Sequence, residues 1–257
     1  MPFTKVALVT AGSAGLGAAI ARVLVAEAEM RVVINYSNDA ERATQLINEL
    51  HNLSNTSSNR SSGDTRFLAI KADVGQRSEV QRLIEQTVSA MGRLDVVVSN
   101  AGWTRVTNFM NLDEAMVDDD WDHCFSMNVK SHLHLFLAAS DYLKKTEGAF
   151  VTTASVAGVK PSGSSLAYAV TKAAQIHLAK SLAFIAAPSI RVNCISPGIL
   201  LTDWGLKFPP QQLESTRKQN KLQIFATVED VANQVKVFAL SKSITGQNAI
   251  IDAGFSL

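Results

Sequence analysis

The chain has 257 residues, with 24 basic and 23 acidic side chains and a formal net charge of +1. Apolar residues make up 47% and charged residues 18%, which excludes intrinsic disorder and supplies enough material for one large core. The charge balance argues against nucleic-acid binding through a broad basic surface, and no run approaches the ~20 apolar residues that span a bilayer.

In chain order, short apolar runs alternate with helix-like stretches. Val6-Ala7-Leu8-Val9 reads as a buried strand and leads into a helix from Gly15 to Ala28. Val32-Val33-Ile34 is followed by a helix from about Asp39 to Leu53, and Phe67-Leu68-Ala69-Ile70 by a helix over Ser78–Met91. Leu94 to Val98 is the clearest central strand, and a long helix is predicted from near Asp118 to Lys145. Ala149–Thr153 precedes a helix over Ser165–Ala186. Strands at Ile190–Ile195 and Ala249–Ile251 flank a helix near Val228–Leu240. Strands buried on both faces read as continuous apolar runs, and strict alternation with helices implies parallel βαβ units. The expected fold is α/β: a doubly wound, Rossmann-type parallel sheet of about seven strands, in one domain over 1–257.

Two segments break this pattern. Residues 54–64 are polar and read as a solvated surface insertion. Residues 199–226 hold Pro209-Pro210 and no clean period, and read as an active-site lid. No internal repeat is visible. The opening residues lack the charged and apolar regions of a signal peptide, and two cysteines, Cys124 and Cys194, make neither a disulfide framework nor a zinc pattern. A reducing, cytoplasmic location is expected.

The first strand ends in Thr10-Ala11-Gly12-Ser13-Ala14-Gly15-Leu16-Gly17, where a helix opens. Glycines at such a turn let the backbone approach a pyrophosphate, and the helix start supplies free N–H groups. Further along, Tyr168 and Lys172 stand at i and i+4, on one face of a helix. A free phenol has a pKa of about 10, and a neighbouring ammonium is expected to lower it, so that the pair can exchange a proton with a carbonyl or alcohol oxygen. Ser155 follows the strand ending at Thr153, Asn128 lies within a helix, Asn100-Ala101-Gly102 follows the central strand, and Pro197-Gly198 follows the sixth. All but Asn128 fall at the carboxyl ends of strands, where doubly wound sheets bind ligands.

This order and spacing resemble the short-chain dehydrogenase/reductase family from Thr10 to Asp252-Ala253-Gly254. One departure is Ala11, where the family usually has glycine; alanine fits there if its φ is negative. Gly12, Gly15 and Ala18 also fit the turn of the family's longer members, which usually carry a further substrate domain. The resemblance implies that Asn128, Ser155, Tyr168 and Lys172 are a catalytic tetrad. Tyr168 is then the general acid or base, Lys172 lowers its pKa and binds the nicotinamide ribose, Ser155 polarises the substrate oxygen, and Asn128 helps to hold a relay water. It further implies that Gly12, Ser13, Gly15, Leu16, Gly17, Asp73, Val74, Asn100, Ala101, Gly102, Pro197, Gly198, Leu200 and Thr202 contact the cofactor. The family's usual assembly, a tetramer or dimer through the helices carrying Asn128 and Tyr168, is also implied.

At the end of the second strand an acidic residue would favour NAD by binding both ribose hydroxyls. Here Asn35-Tyr36-Ser37 stands there, with no acid before Asp39. Asn35 and Ser37 offer hydrogen bonds to a phosphate, so NADP(H) is expected over NAD(H), although Ala14 replaces a basic residue common in NADP-using relatives. Arg42 is the nearest later cation. If NAD(H) were preferred, Asp39 would be the ribose ligand.

The remaining features read as structural. The histidines at 51, 123, 132, 134 and 177 show no metal-binding pattern, Asp118-Asp119-Asp120 suits a helix start with one residue as cap, and Cys194 suits a buried strand. Trp103 and Trp204 are both candidates for lining the substrate pocket, together with 103–108, 156–166 and the segment after Pro197. The function expected is hydride transfer between NADP(H) and a small carbonyl or alcohol substrate, with no nucleic-acid or membrane partner. The alternatives are a non-catalytic dinucleotide-binding regulator and an enoyl reductase, although the latter's relatives space the tyrosine and lysine more widely.

Overall fold

The computed structural model describes residues 5–54 and 66–257. The expectation of a polar insertion at 54–64 lies, apart from Ser54, outside them. The apolar runs form seven strands: β1 (Val6–Val9), β2 (Arg31–Tyr36), β3 (Phe67–Lys71), β4 (Val96–Ser99), β5 (Ala149–Thr153), β6 (Arg191–Pro197) and β7 (Asn248–Ile251). They pair only in parallel, in the order β3-β2-β1-β4-β5-β6-β7. The order reverses between β1 and β4, and the carboxyl edge at that reversal is where the ligand crevice of such sheets lies.

Successive strand residues face opposite sides, so each side of the sheet has its own core. Leu8, Val33, Val97, Phe150 and Val192 pack with helices α3 (Arg77–Met91), α6 (Ser131–Thr146) and α7 (Leu166–Ala186). Val9, Ile34, Val98 and Val151 pack with α1 (Gly15–Ala26), α2 (Ala40–Ser54) and α9 (Val228–Leu240). At the centres of the two cores Leu8, Ile34, Leu83 and Leu24 are entirely buried. The hydrophobic effect at about 25 cal/mol per Å² is what holds these layers on the sheet.

Three local expectations are corrected. The stretch expected as one helix from Asp118 to Lys145 is α5 (Asp118–Phe125), a π-helical turn (Ser126–Lys130) and α6. Such turns insert one residue and re-aim the side chains within them, and this one contains Asn128. The three aspartates fill the first turn of α5, where they favour the dipole, but none caps it; Val117 stands at the cap without a side-chain bond. Finally, 199–226 is not without structure. It holds a 3-10 turn (Gly205–Lys207) and α8 (Pro210–Gln219), with Pro210 in the first helical turn where its missing N–H costs nothing. A short helix, α4 (Leu112–Ala115), was also not anticipated.

Candidate active site

A cleft of about 930 Å³ opens along the carboxyl edge of β1, β4, β5 and β6. At one end lies the glycine turn. Gly12 and Gly17 sit beneath it: a Cβ at 12 would lie 2.8 Å from Ile34 and from the Val9 carbonyl, and one at 17 only 2.2 Å from the Ala11 carbonyl. Gly15 lines the cleft at φ +49°, a conformation strained for any other residue, and a Cβ there would lie 3.2 Å from the Thr202 methyl. Ala14 caps α1 with extended backbone and no side-chain bond, and the first turn carries no acid, so its N–H groups stay free for an anion.

Ala11 does not have the negative φ expected of it. Its φ is +47°, a left-handed conformation that is costly for alanine. The conformation is held from outside: the Ala11 N–H donates to Asn35 Oδ1 at 3.3 Å and the Gly12 N–H to the Asn35 carbonyl at 2.8 Å. The amide nitrogen of Asn35 donates to the carbonyls of Tyr36, Ile70 and Ala72. Asn35 borders the cleft but is 2% exposed, and its side-chain N–H groups are taken by these carbonyls, which corrects its expected role as a donor to a phosphate. Ser37 and Arg42 do line this end of the cleft. Arg42 is not simply solvated: its guanidinium reaches across to Asp203 at 2.8 Å.

Asp73, Val74, Asn100, Ala101 and Gly102 line the cleft floor. Asn100 ties three elements, donating to Thr10 O and accepting from Thr153 Oγ1 at 3.2 Å. Gly102 lets backbone pass close to the lysine, since a Cβ there would lie 3.2 Å from Asn128 Oδ1 and 3.5 Å from Lys172 Nζ. Pro197, Gly198, Leu200 and Thr202 form the wall after β6. Gly12, Ser13, Gly17 and Asn128 do not line it. Asn128 is buried, its amide bonded to both the N–H and the carbonyl of Trp103 and to Thr171 Oγ1.

Ser155, Tyr168 and Lys172 converge on the opposite wall. Ser155 opens a 3-10 turn (Val156–Gly158) and its Oγ accepts from the Ala157 N–H at 3.2 Å. Tyr168 enters α7 one turn after its cap, Ser165. Lys172 Nζ lies 5.5 Å from the centre of the Tyr168 ring and donates to Thr153 O at 2.8 Å. Burial dominates the electrostatics. It pushes the Tyr168 phenol up to about 12, against a lowering hydrogen bond from Ser155, and brings Lys172 down to about 8. The Tyr168 pKa is thus raised in the free protein, where a depression by Lys172 was expected, and the lowering contribution comes from Ser155.

Of the two tryptophans expected near the pocket, Trp204 lines the cleft, while Trp103 packs edge-on against His123 at 4.4 Å. Phe109, Phe208 and Phe255 also line it, as do Gln212, Ser215, Thr216 and Gln219 from one face of α8. Phe109 and Phe255 lie outside the stretches expected to line the pocket, whereas Phe208 and the α8 residues fall in the segment after Pro197 that was expected to do so. Which α8 residues face inward is signalled only by the i, i+3, i+4, i+7 spacing of its polar residues, and that pattern normally marks a solvated face. Among the described residues no group of three or more His, Cys, Asp or Glu side chains could hold a metal ion, and no helix is long and apolar enough to cross a membrane.

A parallel doubly wound sheet, a glycine turn at its switch point and a serine, tyrosine and lysine on one cleft wall define a dinucleotide-fold oxidoreductase. The chain belongs to the short-chain dehydrogenase family, whose family model matches residues 5–213. It is similar to the 3-oxoacyl-(acyl-carrier-protein) reductase FabG of Staphylococcus aureus N315, at 33% identity over 258 residues and 99% of both chains. Among solved structures it is similar to a short-chain dehydrogenase from Burkholderia cenocepacia J2315 in complex with NADP, at 30% identity, TM-score 0.87 and 99% of both chains. It is also similar to a 7α-hydroxysteroid dehydrogenase complexed with NADH and 7-oxo glycochenodeoxycholic acid. That match has 25% identity and a TM-score of 0.85, and covers 98% of this chain and 94% of the other.

Proposed function

We propose that this protein reduces a ketone or aldehyde to an alcohol, and catalyses the reverse, with NADP(H) as hydride carrier. The observation that carries this reading is the convergence of Tyr168, Lys172 and Ser155 on the wall of a cleft whose far end is a glycine turn and an uncapped helix start. The residues fit a dinucleotide: Gly15 and Gly102 keep side chains out of the cleft, Asp73 and Val74 suit an adenine, and Ser37 and Arg42 suit a 2′-phosphate. The bound cofactor supplies or accepts the hydride. Ser155 donates a hydrogen bond to the substrate oxygen, and Tyr168 delivers a proton to it or removes one. Lys172 stabilises phenolate as it forms and holds the nicotinamide ribose. NADP complexed with the Burkholderia relative supports the cofactor choice.

The test is NAD(P)H absorbance with a panel of ketones, aldehydes and enones. Turnover of carbonyls alone supports the proposal. Turnover of enones points to an enoyl reductase, and tight cofactor binding without turnover to a regulator. We further propose assembly with a second copy through α6 and α7, which leave Leu137, Phe184 and Ile185 at 53%, 88% and 73% exposure. Light scattering showing a monomer at micromolar concentration would reject it.

A further inference from the structure

Behind Lys172, on the side away from the cleft, lies a buried chain of polar side chains for which the proposed chemistry has no role. Gln175, one turn on along α7, is entirely buried. Its Oε1 accepts from Lys172 Nζ at 2.8 Å. Its amide nitrogen donates to Thr153 O at 3.0 Å and to Thr152 Oγ1. Thr152 Oγ1 in turn lies 3.3 Å from His132 Nδ1, which is hydrogen-bonded to Ser99 Oγ at 2.6 Å. All of these residues are at least nine-tenths buried, and they come from α7, β5, α6 and β4.

The chain has a definite polarity. If the Gln175 amide were reversed, its NH₂ would face the ammonium and its oxygen would face the Thr153 carbonyl, and both contacts would be repulsive. The ammonium, which only donates, and the Thr153 carbonyl, which only accepts, fix the orientation that presents oxygen to Lys172, and the Thr152 hydroxyl accepts from the remaining N–H. An ammonium has three donors; Thr153 O and Gln175 Oε1 take two, and Lys172 also borders the cleft.

Few other groups help to hold the charge. Around Lys172 stand Tyr168 on its own helix, Cys124 on α5, Cys194 on β6 and His132 on α6. Burial pushes the two thiols up to about 11 and about 12, so both are neutral in the working range. His132 is held neutral as well, its pKa driven well below 6.5 by burial and by the Lys172 charge. Asp120 faces Cys124 and is paired with Arg105. Among the described residues no carboxylate pairs with Lys172.

We propose that Gln175 is a positioning residue for the reaction: it fixes the place of the Lys172 ammonium and keeps it charged, and Thr152, His132 and Ser99 fix Gln175. This rests on the reading of Lys172 as the cation that serves Tyr168 and the nicotinamide ribose.

The test compares Gln175→Leu, which removes the acceptor, with Gln175→Glu, which replaces a dipole by a charge. The first readout needs neither cofactor nor substrate. Lysine labelled with ¹³C at Cε is introduced into the free protein, and the Lys172 resonance, assigned by its absence from Lys172→Met, is titrated with pH. The midpoint should fall by about one pH unit in Gln175→Leu and rise by about as much in Gln175→Glu, as expected for one hydrogen bond to a charged group. Thr152→Val should lower it by less. The second readout is the high-pH limb of kcat/KM for NADPH, which should move in the same order. Midpoints unmoved in both variants, or moved in the same direction, overturn the proposal. If Gln175→Leu does not fold, an unmoved or lowered midpoint in Gln175→Glu overturns it alone. Midpoints that move as expected while the kcat/KM limb stays fixed overturn instead the part assigned to Lys172 in the reaction.

Discussion

Asn35 holds Ala11 in a left-handed conformation, its side-chain oxygen on the Ala11 N–H at 3.3 Å and its main-chain oxygen on the next N–H at 2.8 Å. One buried side chain on β2 thereby shapes the turn that ends β1. Asn35→Ala would strand the Ala11 N–H and remove the side-chain bond to the Ala72 carbonyl. It is expected to lower stability by about 2 kcal/mol or more in urea unfolding and to weaken cofactor binding in the same protein. Ala11→Gly relieves the backbone and should raise stability slightly, by about 0.5 kcal/mol after the added freedom of glycine in the unfolded chain. A loss of stability in Ala11→Gly would mean that the methyl group, not the backbone, matters at this site.

Tyr168→Phe keeps the ring and removes the transferable proton. The single-turnover rate of ketone reduction should fall by about 10²–10⁴-fold with the Kd for NADPH within a few-fold of the parent. Retention of most of the rate would assign the proton to another group.

The Lys172 ammonium, held at about 8 in the folded protein against an ordinary 10.5, makes stability depend on pH. Below pH 8 both folded and unfolded chains carry the proton, and the penalty of burying the charge is fully present. Between pH 8 and 10.5 the unfolded chain binds more protons, so the folded state gains. Relative to Lys172→Met, the parent should therefore become more stable by about 3 kcal/mol as pH rises from 7 to 10.5. Parallel stability curves for the two proteins would place Lys172 in a wetter site than the structure gives it.

The doubly wound sheet was legible because buried parallel strands need unbroken apolar runs, and Val6–Val9 and Val96–Val98 are such runs. The wall that carries Tyr168 and Lys172 was legible because the two share one helix, whose period fixes their relation. What could not be read depends on partners far apart in the chain. Asn35 looked like a free donor because the carbonyls that use up its amide come from β3 and the residue after it, more than 30 positions away. His132 looked inert because Ser99 and Thr152 meet it only when α6 lies on β4 and β5. Helix α8 escaped notice because its inward face is polar, and periodicity reports only faces that are apolar.

Cofactor preference rests on the end of β2. Ser37→Asp places a negative charge beside the Ser37–Arg42 end of the cleft and should turn the ratio of kcat/KM for NADPH over NADH toward NADH by at least tenfold. An unmodified enzyme that already prefers NADH would refute the assignment of this end to a 2′-phosphate, and Asp39 would then be tested as the ribose ligand.

The segment 199–226 borders the cleft through Thr202, Trp204, Phe208 and the inner face of α8. Its amide hydrogens are expected to exchange quickly in the free protein and several-fold more slowly with cofactor and substrate bound. Equal protection in both states would make it a fixed wall and not a lid.

The two sides of the cleft differ in how freely they can change. A Cβ at Gly158 would lie 2.5 Å from the Lys172 carbonyl carbon and 2.6 Å from the Ala173 nitrogen, so the turn that carries Ser155 rests directly on the backbone of the helix that carries Lys172. At Gly158 main chain therefore packs against main chain, with no side chain at that contact to be exchanged. Mutational drift cannot retune that spacing in small steps. Across the gap, α8 and the aromatic rim line the cleft through side chains, where one residue can be replaced without shifting the backbone that carries Ser155 and Lys172.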